Sequence, residues 1–172
     1  MQALTRTIFL LSLFLFSSNV FSAENYSVYL VRHAEKLQDT KNPSLTQCGL
    51  TRAKQLAKML SKTNISTIYS TSYQRTMQTA KPLADVKKLP IKHYSPKHLA
   101  QFATQLKQRK ESALVVGHSN TTPMLTELLS KQKVKPLTEQ DYQYLYQVQF
   151  INNQAVLTTF QQPLQCTTPE IH

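Results

Sequence analysis

Glycine is almost missing from this chain of 172 residues, with Gly49 and Gly117 its only two. So few permissive residues leave no Gly-rich linker and no low-complexity hinge. Each of the two is expected at a backbone position that needs it. Acidic residues are also scarce, nine against twenty Lys and Arg, for a formal net charge of +11. The basic residues are scattered from Lys54 to Lys135 and form no single block. That pattern suits a solvated surface, or one drawn to an anionic substrate or envelope surface. Nucleic-acid binding finds no support, since neither aromatic interleaving nor a known module accompanies the charge. Internal repeats are absent as well.

Long apolar runs are limited to one. Ile8 to Phe16 is apolar except for Ser12, which is too short to span a bilayer and suits the apolar region of a signal peptide behind Arg6. Cleavage after Ser22 puts Val20 and Ser22 in the two pocket positions. The reading is therefore a signal peptide over 1–22 and a single domain over 23–172, periplasmic or secreted, with a retained anchor helix as the alternative. No cysteine sits at the cleavage site, which argues against a lipid anchor, and no stable membrane insertion is expected afterwards. Losing Arg6 leaves the mature chain at +10. About 150 residues remain, enough to bury roughly two-thirds of the unfolded surface around one core.

Cysteines number two, Cys48 and Cys166. Export allows them to pair, closing a loop worth up to about 4 to 5 kcal/mol in the chain-entropy model, but two free thiols fit the sequence equally.

The remaining pattern alternates strands with helices. Val28 to Val31 is a continuous apolar run, as in a strand covered on both faces. Thr46 can cap a helix carrying Leu50, Ala53, Leu56, Ala57 and Leu60 at helical spacing. Ile65 to Tyr69 reads as a second strand, followed by a short helix with Met77, Ala80 and Leu83, ended or kinked at Pro82. Ile91 to Tyr94 is a weak third strand. Pro96 to Lys107 reads as a helix with Pro96 in its first turn. Leu114 to Val116 is another buried strand, and Met124, Leu125, Leu128 and Leu129 recur on a helix behind it. Leu145 to Ile151 and Ala155 to Phe160 flank Asn152 and Asn153, a hairpin signal. The expected fold is a three-layer α/β/α arrangement, its central sheet mostly parallel with an antiparallel C-terminal edge hairpin.

Two buried strands end in a histidine, in LVRHAEK around His33 and VVGHSN around His118. Ligands of open α/β sheets bind at the carboxyl ends of the strands, so both imidazoles are expected at one crevice. STSYQRTMQTA brings Arg75 to the same rim. Two guanidiniums and two imidazoles without a carboxylate cluster make a poor metal site and a good phosphate site. One imidazole can attack phosphorus in line while the other adds a donor when protonated.

These motifs resemble the histidine phosphatase superfamily, which includes the cofactor-dependent phosphoglycerate mutases. LVRHAEK resembles its RHG or RHA signature, LTQCGLTRAKQLAKML its first helix, STSYQRTMQTA its second arginine segment and VVGHSNTTP its second histidine segment. The resemblance implies a phosphoglycerate mutase-like fold and a phosphoric monoester hydrolase of the histidine acid phosphatase type. It makes His33 the phosphorylated nucleophile and Arg32, Arg75 and His118 the phosphate pocket, needing no metal or cofactor. Ser119 and Asn120 are added as substrate-binding candidates, the first through its backbone N–H. The implied partner is a small phosphorylated substrate or a phosphoprotein.

Family members usually carry an acid near the pocket to protonate the leaving oxygen. Here only Asp85 stands between Arg75 and Glu111, and Ser95 occupies a position where related small members often have an acid. Glu35 is the nearest substitute, with an orienting role or a pairing with Lys36 as its alternative, and Asp39 and Asp141 stand behind it. Two competing readings remain: a weakly catalytic protein that binds an anion or phospho-ligand in the envelope, and a phosphoglycerate-type mutase, against which export argues.

Overall fold

The structure is a computed structural model describing residues 25–38 and 41–163. The signal-peptide segment, Asp39 and Cys166 lie outside the described residues.

Among these residues the elements alternate as expected: β1 (Tyr26–Arg32), α1 (Gln47–Leu60), β2 (Thr67–Ser70), α2 (Gln74–Lys87), β3 (Ile91–His93), α3 (Leu99–Arg109), β4 (Ala113–Gly117), α4 (Thr121–Ser130), β5 (Tyr144–Ile151) and β6 (Gln154–Gln161). One sheet takes the order β3-β2-β4-β1-β5-β6. Its first four strands are parallel, while β5 and β6 add an antiparallel edge. Asn152 and Asn153 both have positive φ, 50° and 65°. That is the geometry a two-residue hairpin loop of the right twist requires.

The strands alternate their side chains between two apolar layers. Val28 and Leu30 of β1, Val115 of β4 and Val148 of β5 join Phe102, Leu106, Leu125 and Leu129 from α3 and α4. On the other face, Val31, Ile68, Leu114 and Val116 meet Leu56, Leu60 and Leu83 from α1 and α2. Burial on both faces is why β1 and β4 read as uninterrupted apolar runs. No helix among the described residues is long and apolar enough to cross a membrane.

Several local expectations are corrected. Helix α2 does not end at Pro82 but runs through it to Lys87, its fourteen residues held by tertiary packing of Ala80, Leu83 and Ala84. Pro96 lies outside α3, which starts at Leu99 behind His98. Leu50, Met124 and Leu128 fit the helical period but are exposed, because each helix buries a narrower stripe than its apolar residues could fill. Helix α1 does begin behind Thr46, whose Oγ1 accepts from Gly49 N at 3.1 Å.

Neither glycine has positive φ; both serve close approach. A Cβ at Gly49 would run into the Glu35 carbonyl oxygen, and one at Gly117 would lie 2.9 Å from both Thr121 Oγ1 and the Tyr94 hydroxyl. Positive φ falls instead to Lys88, Lys110 and Lys131, which end α2, α3 and α4 in the left-handed conformation. Cys48 is disulfide-bonded; the other cysteine in the sequence is Cys166.

Candidate active site

The carboxyl ends of β1, β2 and β4 meet at one crevice, and the two histidines and two arginines singled out from the sequence converge there. His33 follows β1 and is 3% exposed. Its backbone N–H donates to Gly117 O at 3.0 Å, tying the end of β1 to the end of β4. The next peptide is held from the other side, with Ala34 N donating to Thr79 Oγ1 on α2 at 3.0 Å. His33 Nδ1 lies 2.8 Å from Ala34 O. A carbonyl only accepts, so Nδ1 carries the proton and Nε2 holds the lone pair. Burial, ahead of the repulsion from Arg32, Arg75 and His118, holds the His33 pKa down at about 3. A pKa that low leaves the imidazole neutral at physiological pH.

His118, just past β4, stands with its ring centroid 5.7 Å from that of His33, edge to face. Its Nδ1 is 3.4 Å from Arg75 Nη2 and its Nε2 is 3.0 Å from Thr71 Oγ1. A guanidinium only donates, which assigns the acceptor role to Nδ1 and the proton to Nε2. Burial and then the nearby Arg75 and Arg32 charges lower its pKa to about 4. An arriving phosphate would reverse that balance, since its negative charge favours the imidazolium.

Arg75 projects from the first turn of α2 and stacks over the Tyr73 ring at 4.4 Å. Arg32 ends β1 and is 3% exposed. Its Nη1 donates to Thr138 O at 2.6 Å, its Nη2 to Glu139 Oε2 at 2.9 Å, and its guanidinium lies 4.2 Å from the Tyr142 ring. The Nε atoms of both Arg32 and Arg75 are buried without a partner. Buried guanidinium donors left open are costly unless a ligand takes them, and a tetrahedral oxyanion matches them. Tyr73, Arg75, Pro96, Lys97, His118, Asn120 and Thr121 line a cavity of about 310 Å³.

The remaining candidates are placed as follows. Asn120 lines that cavity, immediately before α4, and makes no capping bond with its side chain. Ser119 donates through Oγ to Glu139 Oε1 at 3.1 Å. Glu35 forms a bidentate pair with Arg52, at 2.6 Å from Nη2 and 2.9 Å from Nε. This makes its partner Arg52 rather than Lys36, and its backbone carbonyl also receives Thr46 N at 2.9 Å. Both contacts dock α1 beside the loop that follows β1. Asp141 accepts from Thr138 N and Oγ1, both at 2.7 Å, and its pKa is lowered first by that hydroxyl. Among the described residues, Glu139 places a carboxylate on Arg32; no local sequence signal pointed to it, nor to Thr71, Thr79 and Tyr142. No group of three or more His, Cys, Asp or Glu among the described residues could hold a metal ion.

Comparison with known proteins agrees with this geometry. Residues 28–95 match the model of the histidine phosphatase superfamily (branch 1). No curated protein sequence matches the chain. Solved structures share the fold. The protein histidine phosphatase SixA complexed with tungstate has a TM-score of 0.65 at 17% identity, covering 78% of this chain and 96% of that one. A mycobacterial glucosyl-3-phosphoglycerate phosphatase has a TM-score of 0.60 at 12% identity, covering 80% and 98%. Phosphoserine phosphatase from Entamoeba histolytica, in complex with 3-phosphoglyceric acid, has a TM-score of 0.55 at 17% identity, covering 80% and 97%.

Proposed function

We propose that this chain is a member of the histidine phosphatase superfamily, as the family match over residues 28–95 supports, and that it is a phosphatase hydrolysing phosphate monoesters or phosphohistidine through a phosphohistidine intermediate on His33. The observation that carries this reading is the tautomer of His33. Its Nδ1–H is fixed on Ala34 O, so Nε2 keeps its lone pair beside two guanidiniums and a second imidazole.

The chemistry follows from that arrangement. His33 Nε2 attacks phosphorus, the P–N bond forms and the P–O bond (or the P–N bond of a phosphohistidine substrate) breaks. The leaving group takes a proton from solvent or from a nearby acid. Charge developing on the His33 ring is stabilised through Nδ1–H and the Ala34 carbonyl. Arg32, Arg75 and His118 hold the equatorial oxygens, where preorganised donors lower the barrier most. Water then attacks the phosphohistidine, the P–N bond breaks, and orthophosphate leaves with His33 neutral again. With Glu35 committed to Arg52, leaving groups that need little protonation are favoured, aryl phosphates and phosphohistidine among them.

The cationic pocket repels metal ions, so turnover without added metal belongs to the proposal. Location in the periplasm or outside the cell also belongs to it, on the strength of the N-terminal apolar run. The test is hydrolysis of p-nitrophenyl phosphate by the mature chain beside His33→Ala, in the presence of chelator. Chelator-resistant turnover that the variant loses supports the enzyme. Turnover in neither favours a protein that only binds phospho-ligands.

A further inference from the structure

The loop between α4 and β5 reaches back into the phosphate pocket. Thr138, Glu139 and Tyr142 surround the Arg32 guanidinium, which has a carbonyl at 2.6 Å, a carboxylate at 2.9 Å and an aromatic ring at 4.2 Å. Glu139 spans two donors, Arg32 Nη2 through one carboxylate oxygen and Ser119 Oγ through the other at 3.1 Å. Arg32 is a group that the substrate phosphate would use, and Ser119 is the residue whose backbone N–H is a candidate for it. The edge of a carboxylate presents two acceptor oxygens much as the edge of a phosphate does.

Exposure separates the two sides of this contact. The Arg32 side chain is 1% exposed and that of Glu139 is 67% exposed. The turn beneath Glu139 is fixed by the two bonds from Thr138 to Asp141, so its side chain can swing out without unfolding the loop. The buried Nε atoms of Arg32 and Arg75 stay open while Glu139 is in place. An incoming phosphate therefore gains donors that the carboxylate does not reach, and loses by the repulsion between two anions at one guanidinium.

We propose that Glu139 is the resident counter-anion of the phosphate cradle: it is displaced when an oxyanion binds and, by returning, weakens the hold on product orthophosphate. The clause on product rests on the phosphatase reading; the competition itself does not. The segment thus sets oxyanion affinity, with Arg32 positioned by Thr138 and Tyr142 and the anion site contested by Glu139.

The experiment is calorimetric titration of the mature chain with orthophosphate, in wild type, Glu139→Gln, Glu139→Ala and Arg75→Ala. Removing the competing charge should tighten orthophosphate binding about two- to fivefold in both Glu139 variants, the scale of an exposed ion pair. Competitive inhibition by orthophosphate in the p-nitrophenyl phosphate assay should tighten in step. Unchanged affinity in both Glu139 variants, with Arg75→Ala weakened, would overturn the proposal and leave the pocket standing. Weaker binding in Glu139→Ala would overturn it in favour of a buttress for Arg32. A loss of turnover confined to poor leaving groups, without a change in orthophosphate affinity, would overturn it in favour of an acid. Absence of binding in every form, wild type included, would remove the phosphate pocket and the proposal together.

Discussion

Thr79→Val tests how His33, the proposed nucleophile, is held. Thr79 Oγ1 donates to Arg75 O at 2.7 Å and accepts from Ala34 N at 3.0 Å, so one hydroxyl couples the helix of Arg75 to the peptide that orients His33. Thr79 is 3% exposed and Ala34 is fully buried. Valine keeps the shape and removes the acceptor, leaving a buried N–H unsatisfied at a cost of about 1 to 3 kcal/mol. In a domain of this size that is a fall in Tm of about 3 to 10 °C. The catalytic effect is expected to be the larger one. Once the His33–Ala34 peptide can turn, Ala34 shifts with it, its carbonyl no longer fixes His33 Nδ1–H, and misplacement by a fraction of an ångström lowers kcat about ten- to a hundredfold. Thermal unfolding and steady-state hydrolysis of p-nitrophenyl phosphate measure the two effects, with Thr79→Ser, which retains the hydroxyl, restoring most of both. A Thr79→Val protein with wild-type kcat would refute the reasoning, whatever its Tm.

Acidification should destabilise the unliganded fold through the two active-site histidines. Both have folded pKa values below the free imidazole range, about 3 for His33 and about 4 for His118, so the unfolded chain binds more protons as pH falls below about 6.5. Stability is complete above that value and is lost as pH drops toward 4 and then 3, by about 2 to 4 kcal/mol between pH 7 and pH 5 for the pair. Urea midpoints at the two pH values measure it, and equal midpoints would count against neutral buried imidazoles. Arg75→Ala should lower kcat and phosphate affinity together in a kinetic titration; unchanged kinetics would remove Arg75 from the pocket. Glu35→Gln should destabilise by about 3 kcal/mol in chemical denaturation, because it breaks the pair with buried Arg52. Lys110→Gly, by contrast, should raise stability by about 1 kcal/mol, since Lys110 closes α3 at a φ of 51° that costs a side chain more than a glycine.

The parts of this molecule that could be read in advance are those where one physical cause dominates. Buried parallel strands need apolar residues on both faces, so β1 and β4 stood out, and their abrupt ends at His33 and His118 located the crevice. The hairpin was legible because two adjacent positive φ values favour residues such as Asn152 and Asn153. Helix boundaries were less so: Pro82 is tolerated inside α2 because packing of its neighbours outweighs the missing hydrogen bond, and Pro96 stays outside α3. The role of Glu35 was open because its partner, Arg52, lies seventeen residues away across a helix junction. Glu139 was missed for a similar reason. It lies 107 residues from Arg32 in a loop without apolar periodicity, and only the antiparallel placement of β5 beside β1 brings them together. Asp141, two residues on, drew attention as an acid but is spent on capping Thr138. A usable signal was present in the scarcity of acids: each of the few carboxylates near a basic site is worth pairing with a candidate arginine.

The central claim is a covalent phosphate on His33. The most direct measurement is rapid quenching of the mature chain during turnover of p-nitrophenyl phosphate, followed by peptide mapping under alkaline conditions. The account predicts an acid-labile, base-stable phosphate on the peptide containing His33, absent from His33→Ala. Turnover with no such adduct at any quench time, or an adduct on another residue, would contradict it.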